Sequence, residues 1–163
     1  MGFTEINPTN MDLLNILTSL IINTHDIKTE QRLEKVAEER IRQEKLDNDR
    51  RELDNRVQDE AKRLQVGSDK YDVIRDIIIT FGDDYRTALA VAKAESGLRC
   101  EAYHFNDNGT VDSSVFQLNS VHKKRGNLAD CKENIKIAKQ IVDEQGWSPW
   151  VVYWKGTYKK WLN

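Results

Sequence analysis

The chain of 163 residues has few of the residues that mark several common protein classes. It has two cysteines and three scattered histidines, without CxxC or HxxxH spacing, so we predict no metal site. Glycine-rich phosphate loops and GKS-type motifs are absent, which argues against nucleotide chemistry. The net charge of −2 gives no overall attraction to DNA or to an anionic membrane. We therefore predict no cofactor, no metal and no nucleic-acid partner.

Long apolar runs are also missing. The most apolar early segment, residues 13–21, is too short and too polar to span a membrane. The first charges are Glu5 and Asp12, so the chain lacks the basic start of a secretory signal, and no small-residue cleavage site follows. We expect neither a membrane span nor a signal peptide.

Tryptophan, tyrosine and cysteine are absent from the first 68 residues, which carry 14 acidic and 11 basic side chains. All four tryptophans, all five tyrosines and both cysteines follow residue 68. Because these residues build cores, the core is expected in the second part. The Val66-Gly67-Ser68 break predicts a helical arm over residues 1–67 and a globular domain over residues 68–163.

The arm has no glycine or proline between residues 27 and 64 and is densely charged. Its apolar positions alternate at spacings of seven and four, which predicts a weak coiled coil with the seam Leu46, Leu53, Val57 and Leu64. One interpretation is a solvated helix that packs its few apolar residues on the globular domain or on a copy of itself. The other is a stalk that anchors or oligomerises the protein.

The globular part alternates amphipathic helical segments with one strong turn signal. Apolar residues at helical spacing predict a helix over 69–81 that ends at Gly82, and Asp130 begins a capping box for a helix that ends at Gly146. The run Asn106-Asp107-Asn108-Gly109 predicts a hairpin turn. The predicted fold is mainly α with one small β-hairpin, preceded by the long charged helical arm.

Two carboxylates are the main candidates for chemistry. Glu95 ends a helix-like segment among apolar residues, and both desolvation and the negative helix C-terminus favour its protonated form. Asp112 follows the turn on a polar, β-branched stretch, where a solvated carboxylate stays ionised. Glycoside hydrolysis needs such a pair, one acid and one ionised carboxylate. Because 27 of the 163 residues are acidic, the spacing alone is a weak signal.

Four motifs in order make this signal specific. From about residue 85 to 162 the chain resembles the lysozyme-like superfamily, in its soluble lytic transglycosylase and phage-type lysozyme branch, through AVAKAESGL, NDNGTVDSSVFQLN, NIKIAKQIVDEQGW and PWVVYWKGTYKKWL. The resemblance implies that Glu95 is the catalytic acid and that Gln117 and Asn119 line the sugar cleft. Asp112 matches the second carboxylate of chicken-type lysozymes. The resemblance also implies that Tyr153 reaches the cleft. We predict Asn106 as a further substrate-binding residue.

One departure from the family pattern precedes Phe116. Ser113-Ser114 stands where relatives carry an aromatic residue and then glycine, so we expect Ser114 to narrow the cleft or to shift its register. Cys100 and Cys131 flank the hairpin region; a disulfide between them would close a loop of about thirty residues. Without a visible signal peptide, the reduced state is an equal alternative.

The resemblance implies cleavage of the β-1,4 bond between N-acetylmuramic acid and N-acetylglucosamine in peptidoglycan. A muramidase is the first hypothesis, because many lytic transglycosylases lack the second carboxylate. A lytic transglycosylase with anhydro products is the alternative, and a non-catalytic saccharide-binding or structural virion protein is the alternative of another class. The expected place of action is the bacterial cell wall, with delivery in a phage virion or at lysis, and the arm is the expected attachment or self-association segment.

Overall fold

The computed structural model describes the backbone of residues 8–162, and the side chains of that range except at residues 8–14 and 21–25. It has five α-helices there: α1 (Pro8–Arg63), α2 (Tyr71–Phe81), α3 (Tyr85–Ser96), α4 (Cys131–Gln145) and α5 (Val151–Trp154). Short 3-10 helices cover Ser68–Lys70, Gly82–Asp84, Ser120–Arg125 and Thr157–Trp161. The fold is mainly α, as predicted. Within the described residues, no helix is both long and apolar enough to cross a membrane.

Three short strands form one antiparallel sheet in the order β1 (Tyr103–Phe105), β2 (Val111–Ser113) and β3 (Leu118–Asn119). The predicted hairpin is the β1–β2 pair, and Gly109 adopts a φ of +79° in its turn. The third strand adds only two residues. The register places Asp112 opposite His104 on one side and opposite Asn119 on the other. This central position brings polar groups to Asp112 from both neighbouring strands.

The chain divides into two compact units between Arg50 and Arg51, inside α1. The described side chains of the first unit are all exposed. Its large apolar residues therefore lie in solvent, including Leu33 at 65% and Ile41 at 67% exposure. The described side chains of this unit therefore bury no apolar stripe by themselves.

The last turns of α1 belong to the second unit and contribute to its core. Val57, Ala61 and Leu64 are at most 2% exposed, and Leu53 packs against the same cluster. Three of the four positions predicted as a coiled-coil seam therefore lie in the core of this unit, whereas Leu46, in the first unit, is 53% exposed. A coiled coil stays a prediction.

The core of the second unit lies between the apolar faces of α2, α3 and α4. These faces are buried as their helical spacing predicts: Val73, Ile74, Ile77, Ile78 and Phe81 on α2, and Ile135, Ile137, Ala138 and Ile141 on α4. The Asp130 carboxylate accepts a 2.8 Å hydrogen bond from the Glu133 backbone N–H and caps α4. Gly82 ends α2 with a φ of +54°.

An aromatic cluster completes this core at the C-terminal end. Phe81 lies 5.4 Å from Phe116 and 5.6 Å from Trp147 between ring centroids, and Trp147 lies 5.4 Å from Trp150. Both tryptophans are buried, so they fill the core, as expected for most buried aromatic residues. The cluster joins α2, the β2–β3 connection and the segment that follows α4.

Candidate functional site

Glu95 lies in the last turn of α3, and the two residues after it fix its position. The Ser96 hydroxyl is buried and donates a 2.7 Å hydrogen bond to the Val115 carbonyl, which ties the end of α3 to the β2–β3 connection. Gly97 ends the helix in the left-handed region at φ +69°, where glycine carries no Cβ penalty. In the sequence Glu-Ser-Gly, the Glu95 side chain faces a cleft, the Ser96 hydroxyl holds the end of α3 in place, and Gly97 ends the helix.

The surroundings of Glu95 favour its protonated form. Leu89, Val91, Ala92 and Leu98, which are close to Glu95 in the sequence, are fully buried. Burial, and after it the negative charge of Asp112, raises the pKa of Glu95 to about 7. The carboxyl group can therefore hold a proton near neutral pH, where an ordinary glutamate is ionised.

Asp112 is fixed by two asparagine amides. The Asn119 side-chain N–H donates to one carboxylate oxygen at 2.7 Å, and the Asn106 side-chain N–H donates to the other at 3.0 Å. The Thr110 hydroxyl accepts a hydrogen bond from each amide, which orients both donors. Because an ionised carboxylate only accepts hydrogen bonds, two donors on its two oxygens match the ionised form.

Three side chains from outside the sheet hold the connection between β2 and β3. Asn134 on α4 is fully buried; its amide oxygen accepts from the Phe116 N–H at 3.0 Å, and its amide nitrogen donates to the Ser113 carbonyl at 2.9 Å. The Trp150 indole N–H donates to the Phe116 carbonyl at 2.9 Å. Together with Ser96, these contacts fix the segment that separates Asp112 from Asn119.

The two carboxyl groups lie at the centre of a surface cleft with open space on both sides. One space has a volume of about 210 Å³, and besides Glu95 and Asp112 it is lined by Gln117, Leu118, Asn119, His122, Ile141, Pro149, Trp150 and Val151. The other has a volume of about 340 Å³ and is lined by the same two acids with Arg99, Ala102, Tyr103, His104 and Gln117. An extended polymer can therefore pass over the acid pair.

Residues 79–152 match a family model described as a lysozyme-like domain. These residues form a lysozyme-like domain. No curated protein and no solved structure matches the chain at a significant level. The matched range contains α3, the three strands, α4 and every residue that lines the first space of the cleft. A lysozyme-like domain indicates a peptidoglycan-acting glycosidase or lytic transglycosylase.

The lysozyme-like domain brings together most of the site residues predicted from the sequence. Glu95, Asp112, Gln117 and Asn119 all line the cleft, and Asn106 contacts Asp112 from the hairpin. The Gln117 side-chain nitrogen donates to the carbonyls of Ala102 at 3.1 Å and of Ser114 at 2.8 Å, which fixes its amide.

Tyr153 lies outside the cleft and packs against other aromatic residues. Its ring stacks on Tyr158 with centroids 4.8 Å apart and on Trp147 at 6.0 Å, and it lines neither space of the cleft. A role of Tyr153 in substrate binding stays a prediction.

Ser114 does not narrow the cleft, because its side chain is fully buried and lines neither space. Its backbone instead adopts a φ of +62°, a left-handed conformation that favours glycine. Among the described residues, the buried Ser114 hydroxyl has no hydrogen-bond partner. Serine in place of the family's glycine therefore introduces backbone strain and buries a polar group. The backbone N–H of Ser114 still donates a 2.7 Å hydrogen bond to the Ala102 carbonyl.

Sequence reasoning missed Asn134 and His122. Asn134 lies on the buried stripe of α4 with Ala138 and Ile141, at spacings of four and seven. A polar residue on an apolar stripe signals buried hydrogen-bond partners, and this signal was available. The sequence does not link His122 to the site, because its approach to the cleft depends on the 3-10 helix after β3.

Cys100 and Cys131 form a disulfide with Cα atoms 5.1 Å apart. It joins the segment after Glu95 to the first residue of α4. The covalent link therefore connects the segment that follows α3, the helix of Glu95, to α4, the helix of Asn134.

Proposed function

We propose that this protein is a muramidase that cleaves the β-1,4 bond between N-acetylmuramic acid and N-acetylglucosamine in peptidoglycan. The observation that carries the proposal is the pair of unlike carboxyl groups in one cleft. Burial raises the pKa of Glu95 to about 7, and two asparagine amides hold Asp112 as an acceptor. Glycoside cleavage needs this division between a proton donor and an ionised carboxylate.

In this mechanism Glu95 protonates the bridging oxygen as the glycosidic bond breaks. The pKa of about 7 suits general acid catalysis near neutral pH, because the group holds a proton and also releases it readily. The fixed position of Glu95 at the end of α3, anchored through Ser96, keeps the proton in place for the leaving oxygen.

Asp112 stabilises the positive charge that develops on the sugar, or traps it as a covalent adduct. Its two amide donors keep both carboxylate oxygens oriented without neutralising their charge. Asn106 and Asn119 thus serve the reaction by positioning Asp112, in addition to the direct substrate contacts expected for them.

Gln117 and Asn119 bind the sugar through hydroxyl or N-acetyl groups. The Gln117 amide nitrogen is engaged by two carbonyls, so its oxygen is the atom left to accept a hydrogen bond from the substrate. Both residues line the space beside the acids, where they hold the scissile bond in position.

The fate of the sugar cation separates the muramidase from the lytic transglycosylase. Attack by water gives a reducing sugar, whereas attack by the 6-hydroxyl of muramic acid gives an anhydro product. The cleft is open on both sides of the acid pair, which gives water access, and Asp112 stabilises the cation until water attacks. Both features favour hydrolysis.

The N-terminal arm attaches the enzyme either to a copy of itself or to a phage virion. Attachment to a virion would deliver the enzyme to the cell wall. The first unit of α1 exposes Leu33, Ile41 and other large apolar residues along a charged helix. Sedimentation of the full chain and of an Leu33→Glu/Ile41→Glu variant tests self-association: an oligomer that the variant converts to a monomer supports it, and a monomer in both cases contradicts it.

Release of soluble fragments from purified peptidoglycan by the full chain and by Glu95→Gln tests the enzymatic function. We expect release by the unmodified protein, at least a thousandfold loss in the variant, and sedimentation of both proteins with the insoluble wall. Wall binding without release by the unmodified protein would instead support the non-catalytic saccharide-binding alternative.

A further inference from the structure

The rim of the cleft carries a basic turn that the catalytic proposal does not use. This turn is the 3-10 helix Ser120–Arg125, which follows β3 directly and ends in four consecutive basic residues, His122 to Arg125. Its first residues are fixed by the site itself, because the Asn119 side-chain oxygen accepts a 3.0 Å hydrogen bond from the Val121 N–H. The same Asn119 amide binds Asp112 through its nitrogen.

The four basic residues have different surroundings. His122 lines the cleft together with Glu95 and Asp112. Arg125 forms a two-pronged ion pair with Glu144, at 2.7 and 2.6 Å. Lys123 and Lys124 are exposed, and the described part of the chain gives neither an ion pair. Two unneutralised positive charges therefore stand next to a cleft-lining side chain.

The basic turn counteracts the negative charge at the centre of the cleft. Asp112 and the ionised fraction of Glu95 make the centre of the cleft negative, and they repel an anionic polymer within a Debye length of about 8 Å. Lys123 and Lys124, which directly follow the cleft-lining His122 in the same turn, offset this repulsion and attract negative groups to one side of the acid pair. An uncharged glycan alone would gain little from them.

We propose that the basic turn, through Lys123 and Lys124, binds carboxylates of the peptide that substitutes muramic acid, with His122 lining the path from the turn to the sugar. This inference rests on the proposed peptidoglycan cleavage. It adds recognition of the peptide, which distinguishes peptidoglycan from a glycan without peptides. The peptides of the wall carry carboxyl groups, and flexible ammonium groups suit such mobile anions because they need no fixed geometry.

The test compares two forms of one substrate: solubilised peptidoglycan strands free of teichoic acid, and the same strands after an amidase has removed the peptides and the lactyl carboxyl groups freed by it have been converted to methylamides. The variants are Lys123→Gln/Lys124→Gln and, as a matched control, Lys136→Gln, because Lys136 is exposed on α4 and does not line the cleft. Equal thermal unfolding temperatures show that the substitutions leave the fold intact.

We expect the double variant to raise KM about fivefold on peptide-bearing strands and to leave kcat and the kinetics on peptide-free strands unchanged, as two exposed charge pairs predict. Added salt should weaken the unmodified protein only on peptide-bearing strands, and Lys136→Gln should match the unmodified protein on both. An equal change on both substrates, or none on either, would overturn the inference. Failure of the unmodified protein to cleave either strand would instead contradict the proposed function.

Discussion

The amide oxygen of Asn134 accepts a 3.0 Å hydrogen bond from the Phe116 backbone N–H, across 18 residues of chain and between α4 and the β2–β3 connection. The Asn134 amide nitrogen donates to the carbonyls of Ser113 and Leu128. One fully buried side chain therefore satisfies two backbone groups in the segment that spaces Asp112 from Asn119, and a third at Leu128.

We expect Asn134→Ala to lower the free energy of unfolding by about 3 kcal/mol, because it leaves three buried backbone groups without partners. Activity should fall further than stability explains, since Asp112 and Gln117 lose their fixed spacing. Urea unfolding and kcat under conditions where both proteins are fully folded check this. Asn134→Leu keeps the branched shape of the side chain but makes no hydrogen bonds; full activity in that variant would contradict a role in positioning.

Ser114 provides a second test through its left-handed backbone and its buried hydroxyl, which has no partner among the described residues. Ser114→Gly should stabilise the protein by about 1 kcal/mol, because glycine adopts this conformation without the Cβ penalty. Ser114→Ala removes the hydroxyl but keeps the penalty, so it should be less stable than the glycine variant. Thermal unfolding of the three proteins gives the order, and a glycine variant less stable than alanine would contradict backbone strain as the cause.

The titration of Glu95 can be followed directly by NMR of its side-chain carboxyl carbon. We expect a pKa near 7 in the unmodified protein, because burial is the main cause of the shift. In Asp112→Asn the pKa should fall but stay above the ordinary value near 4.5, because the neighbouring charge is the smaller cause. An unchanged pKa in Asp112→Asn would show that the two carboxyl groups do not interact.

The same shift predicts how stability depends on pH. A carboxyl group whose folded pKa is raised from 4.5 to about 7 favours folding when protonated, so its contribution is fully present below pH 4.5 and is lost as pH rises through 7. Glu95→Gln cannot ionise, so it should exceed the unmodified protein in stability by about 2 kcal/mol at pH 8, after allowance for partial solvent exposure. Urea unfolding at pH 4 is the control, and we expect no difference there.

The sequence predicts the local parts of this fold well. Helices α2 and α4 follow from apolar spacing, and the Asp130 cap and the hairpin turn follow from residue types that satisfy or permit particular backbone conformations. The protonated character of Glu95 also follows, since Leu89, Val91, Ala92 and Leu98 are close in sequence. These features depend on neighbours within about one or two turns.

Features that depend on distant contacts were not predictable in the same way. Apolar residues at helical spacing in the arm are compatible with a coiled coil and equally with packing in a globular core. Only the contacts in the structure show that Leu53, Val57 and Leu64 pack in the core of the second unit. The contact between Trp150 and Phe116 spans 34 residues. The two-residue strand β3 is too short to leave a pattern in the sequence.

In the proposed reaction Glu95 donates a proton to a muramic acid glycoside and water completes the cleavage. The decisive measurement is mass spectrometry of the muropeptides released from purified peptidoglycan. We expect products with reducing-end muramic acid from the unmodified protein and none from Glu95→Gln. Anhydro-muramic acid products would contradict hydrolysis and establish a lytic transglycosylase, and equal release by both proteins would contradict the role of Glu95.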